Sequence, residues 1–150
     1  MKTRSIATAG MISDTSLYNV DGACVVGDST AIPVGYAVGV TLAEQVDGHK
    51  VVGVGGVPYG VVVKSHYETP DGTARAKEAV NVLTHGRIWM PTELSARPGF
   101  GSVVTIGTDG TPGDDGTATA WKYAGGFIPA ADGNPALVEV QVLQSSTAVV

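Results

Sequence analysis

Apolar and polar residues alternate along much of this chain in short runs, and nearly every run stops at a glycine, proline or aspartate. The clearest run is Ala136–Leu143, where Leu137, Glu139, Gln141 and Leu143 alternate with Ala136, Val138, Val140 and Val142. A period of two puts successive side chains on opposite faces of a strand. The same pattern predicts strands at Ala23–Val26, Lys50–Val54, Tyr59–His66, Ser102–Ile106 and Thr117–Tyr123. Pro33–Leu42 also reads as one strand, with Val34, Tyr36, Val38 and Val40 on one face and Gly35 and Gly39 on the other. Turns are expected at Asp21-Gly22, at 27–29, at Asp47-Gly48, at Gly55-Gly56 and at Pro70-Asp71-Gly72. Residues 109–116 read as a polar hairpin tip and 129–135 as a loop.

One stretch is ambiguous. Ala74, Ala76, Ala79, Val80 and Leu83 would share a helix face, but Val80, Val82 and Thr84 alternate with Asn81, Leu83 and His85. The run continues through Gly86 to Met90, which favours a strand with a glycine bulge at Gly86, preceded at most by a helical turn near Ala76. Closely spaced turns between alternating strands predict an all-β domain, a compact β-barrel or β-sandwich of short strands. The expected layout is an extended N-terminal arm over 1–18, the barrel or sandwich over 19–143 and a loose tail over 144–150. A first strand of the domain is the other reading of 1–18.

Composition agrees with this class. Valine dominates the aliphatic residues and is β-branched, whereas leucine occurs only at positions 17, 42, 83, 94, 137 and 143. The net charge is -5 and the Lys and Arg residues are scattered, which argues against a nucleic-acid surface. No apolar run approaches the roughly 20 residues of a membrane helix, and Ile6–Gly10 is too short and polar for a signal core. These features predict a protein kept soluble.

Catalytic chemistry has few candidates. Cys24 lies in the apolar run Ala23–Val26 and reads as a core residue. His49, His66 and His85 have no metal-ligand spacing, and no Gly-x-Ser-x-Gly elbow is present. The glycine-rich run at Gly53 lacks a Walker lysine. Asp109, Asp114 and Asp115 have calcium-type oxygen ligands but not the EF-hand spacing, and read as a solvated tip. No cofactor, no metal and no catalytic residue is predicted. Ala96–Ser102 resembles the glycine-rich motif of trimeric dUTP-hydrolysing enzymes, but their companion motifs are missing. The aromatics Trp89, Trp121, Tyr36, Tyr59, Tyr67 and Tyr123 leave open a carbohydrate-binding module on a virion surface.

The order of pieces from about 20 to 143 carries a broader likeness. Ile32-Pro33-Val34-Gly35 opens a strand, Gly60–Val63 is a valine run, and Val80–Met90 ends in Gly86-Arg87-Ile88-Trp89-Met90. Gly101–Thr105 and Leu137–Val142 follow. Together they resemble small capsid decoration, or cement, proteins of tailed bacteriophages. The resemblance implies a non-enzymatic protein on the outer surface of a virion, made in the host cytoplasm. It implies binding at junctions between major capsid protein subunits and stabilisation of the shell. It also implies a homo-oligomer, a trimer before a dimer, with no direct contact to nucleic acid or membrane. On this reading Lys2, Arg4 and Ile6 of the arm are candidates for capsid contact, and Trp89 and Trp121 for core or protomer interface.

Overall fold

The computed structural model describes residues 8–27, 31–46, 49–55, 57–64, 73–74 and 78–143. Among them there is no helix. Ten strands follow in chain order: β1 (Ile12–Val26), β2 (Ile32–Pro33), β3 (Ala37–Val46), β4 (His49–Gly53), β5 (Gly60–Val62), β6 (Thr73–Ala74), β7 (Ala79–Thr92), β8 (Val103–Ile106), β9 (Thr117–Ile128) and β10 (Ala136–Val142).

The main sheet closes on itself. Its order is β1-β4-β3-β5-β7, and β7 pairs back to β1, making a five-stranded barrel. The β1–β4 pair is parallel and the other four contacts are antiparallel. Closure removes the free edges that short strands would otherwise present. Beyond the barrel, β10, β9 and β8 continue the sheet from β7. The β2–β6 ribbon adds Ile32 and Ala74 to the barrel's core.

Strand β7 belongs to both parts. It pairs with β5 at Val82 and Leu83, and then with β10 in an unbroken register from Gly86↔Val142 to Thr92↔Ala136. Two cores result. Val38, Val62, Val80 and Val82 fill the barrel with Cys24, Val26 and Val52. The intervening residues Ala37, Val61 and Leu83 sit side by side on β3, β5 and β7. They pack outward against Val104, Ile106, Trp121, Tyr123, Val138 and Val140 of the extension. Walls buried on both faces explain why Gly60–Val63 is continuously apolar and does not alternate.

Several expectations change. Residues 12–18, read as part of an arm, belong to β1 and pair with β7. Residues 8–11 are also docked: Gly10 N–H donates to Trp89 O at 2.8 Å, and Trp89 N–H to Met11 O at 3.0 Å. The long complementary edge of β7 recruits this segment despite its mixed composition. The Asp21-Gly22 turn is not formed. β1 runs through it with a register shift between Asp21 and Cys24, because Asp21 has partners across the barrel wall. Pro33–Leu42 is broken by a turn at Val34-Gly35, where Gly35 adopts φ +84°. Tyr59–His66 shrinks to β5, and β9 extends five residues past Tyr123, to Ile128. Within 129–135, Asp132 (φ 54°) and Gly133 (φ 81°) make a primed hairpin turn between β9 and β10. Gly86 takes φ 132° where the β1 ladder is irregular, as a bulge glycine should. The possible helical turn near Ala76, the Pro70-Asp71-Gly72 turn and the 144–150 tail lie outside the described residues.

Candidate interaction surface

Aromatic side chains divide sharply by position. Trp121 is 2% exposed in the core of the extension, and its indole N–H donates to Leu143 O at 3.1 Å. Tyr123 is buried beside it. Trp89 points to the other face of the sheet, between the inward residues Ile88 and Met90 of β7, and is half-buried. Its ring lies across Gly126: a Cβ there would come within 2.5 Å of Trp89 Cη2. Gly125 and Gly126 form a bulge, since the β10–β9 register shifts between Val138↔Phe127 and Val140↔Tyr123.

A second aromatic meets the same bulge. A Cβ at Gly125 would lie 3.3 Å from Phe100 Cδ2. Phe100 is 77% exposed, the most exposed of the large apolar side chains described, and Val103 nearby is 48% exposed. Its turn is held by backbone bonds: Ser102 N–H donates to Gly99 O, Gly101 N–H to Tyr123 O, and Tyr123 N–H to Ser102 O. Phe100 is therefore an apolar knob on a fixed base beside strand β8, which ends the sheet. In the sequence Trp89 stands out on its strand, whereas Phe100 stands only inside an enzyme-like fragment. An aromatic flanked by Gly99 and Gly101 was the signal for an exposed knob. Lys2, Arg4 and Ile6 lie outside the described residues.

Among the described residues the aromatics do not form a common stacking platform. Trp121 and Tyr123 are interior, Tyr36 lines a cleft near β2, Tyr59 is tied to Asp21, and Tyr67 lies outside the described residues. Histidines are equally dispersed: His85 is half-buried in β7, His49 begins β4, and His66 lies outside the described residues. Among the described residues no three His, Cys, Asp or Glu side chains gather as a metal site.

A charged cluster braces the barrel. Asp21 accepts from Tyr59 Oη and from Ala23 N–H (2.9 Å), and Lys50 Nζ lies 3.0 Å from its Oδ2. Burial pushes its pKa up, but these hydrogen bonds and the Lys50 charge outweigh burial and hold the carboxyl at about 2, below the ordinary 3.8. Burial, reinforced by Asp21, pushes the Cys24 thiol up to about 12, so it stays protonated and unreactive. Tyr59 is also raised, by burial and its bond to Asp21. Because the folded carboxyl titrates below the unfolded one, its stabilisation is present above about pH 4 and is lost as pH falls towards 2. Asp21→Asn is expected to cost about 1–2 kcal/mol at neutral pH, allowing for solvent contact. The gap from wild type in urea midpoint should narrow at pH 2.5. An equal gap at both pH values would contradict this account.

Comparison with known proteins adds to the geometry. A chain in the solved structure described as "The capsid of Myoviridae Phage XM1" superposes with a TM-score of 0.63 at 15% identity, covering 95% of this chain and 94% of that one. At that identity the likeness is one of fold. No curated protein matches the chain. Residues 1–143 match the family model described as "Structural cement protein (E217 gp24/Pam3 gp6)". With that match over nearly the whole chain, this protein belongs to the phage structural cement protein family.

Proposed function

We propose that the protein binds the outer surface of an assembled phage head, at junctions between major capsid protein subunits, and holds the shell together. The observation that carries the surface reading is Phe100, an exposed apolar knob on a rigid turn beside Trp89 and an edge strand. Exposed aromatics of this kind anchor protein contacts once a partner dries them. A protein that binds the assembled shell and not its free subunits stabilises the shell by mass action. Many copies on a repeating lattice add their effects, and a symmetric homo-oligomer, a trimer before a dimer, would multiply them further. The residues preceding the docked 8–11 segment, with Lys2, Arg4 and Ile6, are a second contact, able to lie along a neighbouring subunit. The protein would then be a component of the virion, acting by binding and not by catalysis.

The test is co-sedimentation with empty, expanded heads, together with the temperature at which those heads rupture. Wild type is expected to pellet with heads and raise that temperature. Phe100→Ser should leave thermal unfolding nearly unchanged, because a side chain this exposed contributes little to the fold. It should weaken head binding by roughly ten-fold or more. Deletion of 1–7, which spares the docked 8–11 segment, should weaken it separately. Wild type that neither pellets with heads nor protects them would overturn the function. A Phe100→Ser variant that binds normally would remove the knob from the contact.

A further inference from the structure

A cleft of about 550 Å³ opens on the side of the barrel, between β2, β3, β4 and the 107–111 turn. Its lining includes the buried core residues Ile32 and Val52, the accessible apolar residues Pro33 and Val54, and the polar residues Tyr36 and Asp109. Among the described residues, none that lines it is cationic. The turn is clamped to the barrel. Ala37 N–H donates to Gly110 O at 2.8 Å, and a Cβ at Gly110 would sit 3.1 Å from Val54 Cγ1 and 3.4 Å from Tyr36 Cδ2. Asp109 is fixed within it. Its Oδ1 accepts from Thr111 N–H at 3.0 Å and from Thr111 Oγ1 at 2.8 Å, and neither bond uses Oδ2. The carboxylate is exposed, and Val54 is 38% exposed.

A cleft that combines accessible aliphatic surface, an aromatic ring and a positioned carboxylate has a specific complement. A long side chain with an aliphatic stem and a cationic head buries the stem along the walls. Its head gains a charge-assisted bond to Asp109 and a cation–π contact with Tyr36. A neutral apolar side chain would leave the carboxylate stripped of water without a partner. The volume suits one such side chain with part of its backbone. The overall charge of -5 favours a basic partner at longer range. We propose that this cleft receives a lysine or arginine side chain of the major capsid protein, an inference that rests on the shell-binding function above.

Two measurements test it. In the first, Asp109→Asn keeps an oxygen to accept the Thr111 bonds and removes only the charge. It is expected to weaken binding to expanded heads by roughly ten-fold at low salt and to flatten the salt dependence seen with wild type. In the second, N-acetyl-arginine amide is titrated into the protein and followed by NMR. Saturable shifts are expected at the Val54 methyls and the Tyr36 ring, lost in Asp109→Asn and absent with N-acetyl-norleucine amide. Equal shifts from both amides, or none from either, would overturn the cation site. Unchanged head binding by Asp109→Asn, with wild type bound, would overturn the cleft as a capsid contact. Wild type that fails to bind heads overturns the shell-binding function and this partner with it, while the titration still decides whether the cleft takes a cation.

Discussion

Trp121→Ala is expected to destabilise the protein by about 3–5 kcal/mol, the usual cost of truncating a fully buried aromatic. Trp121 is 2% exposed and lies in the core where the extension meets the barrel wall. Its loss would leave a cavity between Val104, Ile106 and Val140, and would strip Leu143 O of its donor. Single domains have about 5–15 kcal/mol of total stability, so this is a large fraction. Denaturant unfolding of Trp121→Ala and Trp121→Phe separates the parts. The phenylalanine variant should recover much of the packing but not the hydrogen bond, and should fall between wild type and alanine. A midpoint for Trp121→Ala within error of wild type would mean the extension does not depend on this ring.

Gly60→Val is expected to be at least as damaging, for a different reason. Gly60 stands opposite Val38 on β3 and packs tightly against β7. A Cβ there would approach within 2.5 Å of Val82 Cγ1 and closer still to Leu83 O. The second obstacle is backbone and cannot rotate away. β5 joins β7 through only two register pairs, Val61↔Leu83 and Val62↔Val82. Forcing these strands apart would open the barrel at a short seam. Overpacking of a tight core costs about 1–3 kcal/mol, and more when backbone must move. The measurement is thermal unfolding with hydrogen exchange at the Val61 and Val62 amides. Fast exchange there, with β10 amides still protected, would show that the barrel seam opens before the extension. Wild-type stability and protection would show that the seam tolerates a side chain and that this glycine is not required for closure.

Much of the fold was legible in local pattern. The β10 alternation, the strand from Val80 to Met90 with its glycine irregularity, and β8 were all readable because a period of two and a turn residue are properties of neighbours in sequence. The errors have a common origin. Asp21-Gly22 has turn composition but stays within β1, marked there only by a register shift, because Tyr59 and Lys50 bind the carboxylate. Residues 12–18 have arm-like composition but form a strand, because β7 offers an edge to pair with. Pairing partners are distant in sequence, so local propensity carries no trace of them.

The candidate surface divides in the same way. Sequence marked Trp89 and Trp121 as equivalent aromatics on alternating strands. Only the sheet's orientation separates them, sending Trp121 into the core and Trp89 to a glycine bulge that it shares with Phe100.

Local pattern alone marks the chain as all-β and places most of its described strands, and the order of its pieces resembles cement proteins. Tertiary structure decided that the sheet closes between β1 and β7, that β7 serves two cores, and that Phe100 stands exposed while the cleft at Asp109 lies open. The physical reason is that strand character depends on backbone dihedrals and the alternation of adjacent side chains. Closure, burial and exposure depend on which distant segments meet, and that is settled only when the whole chain packs.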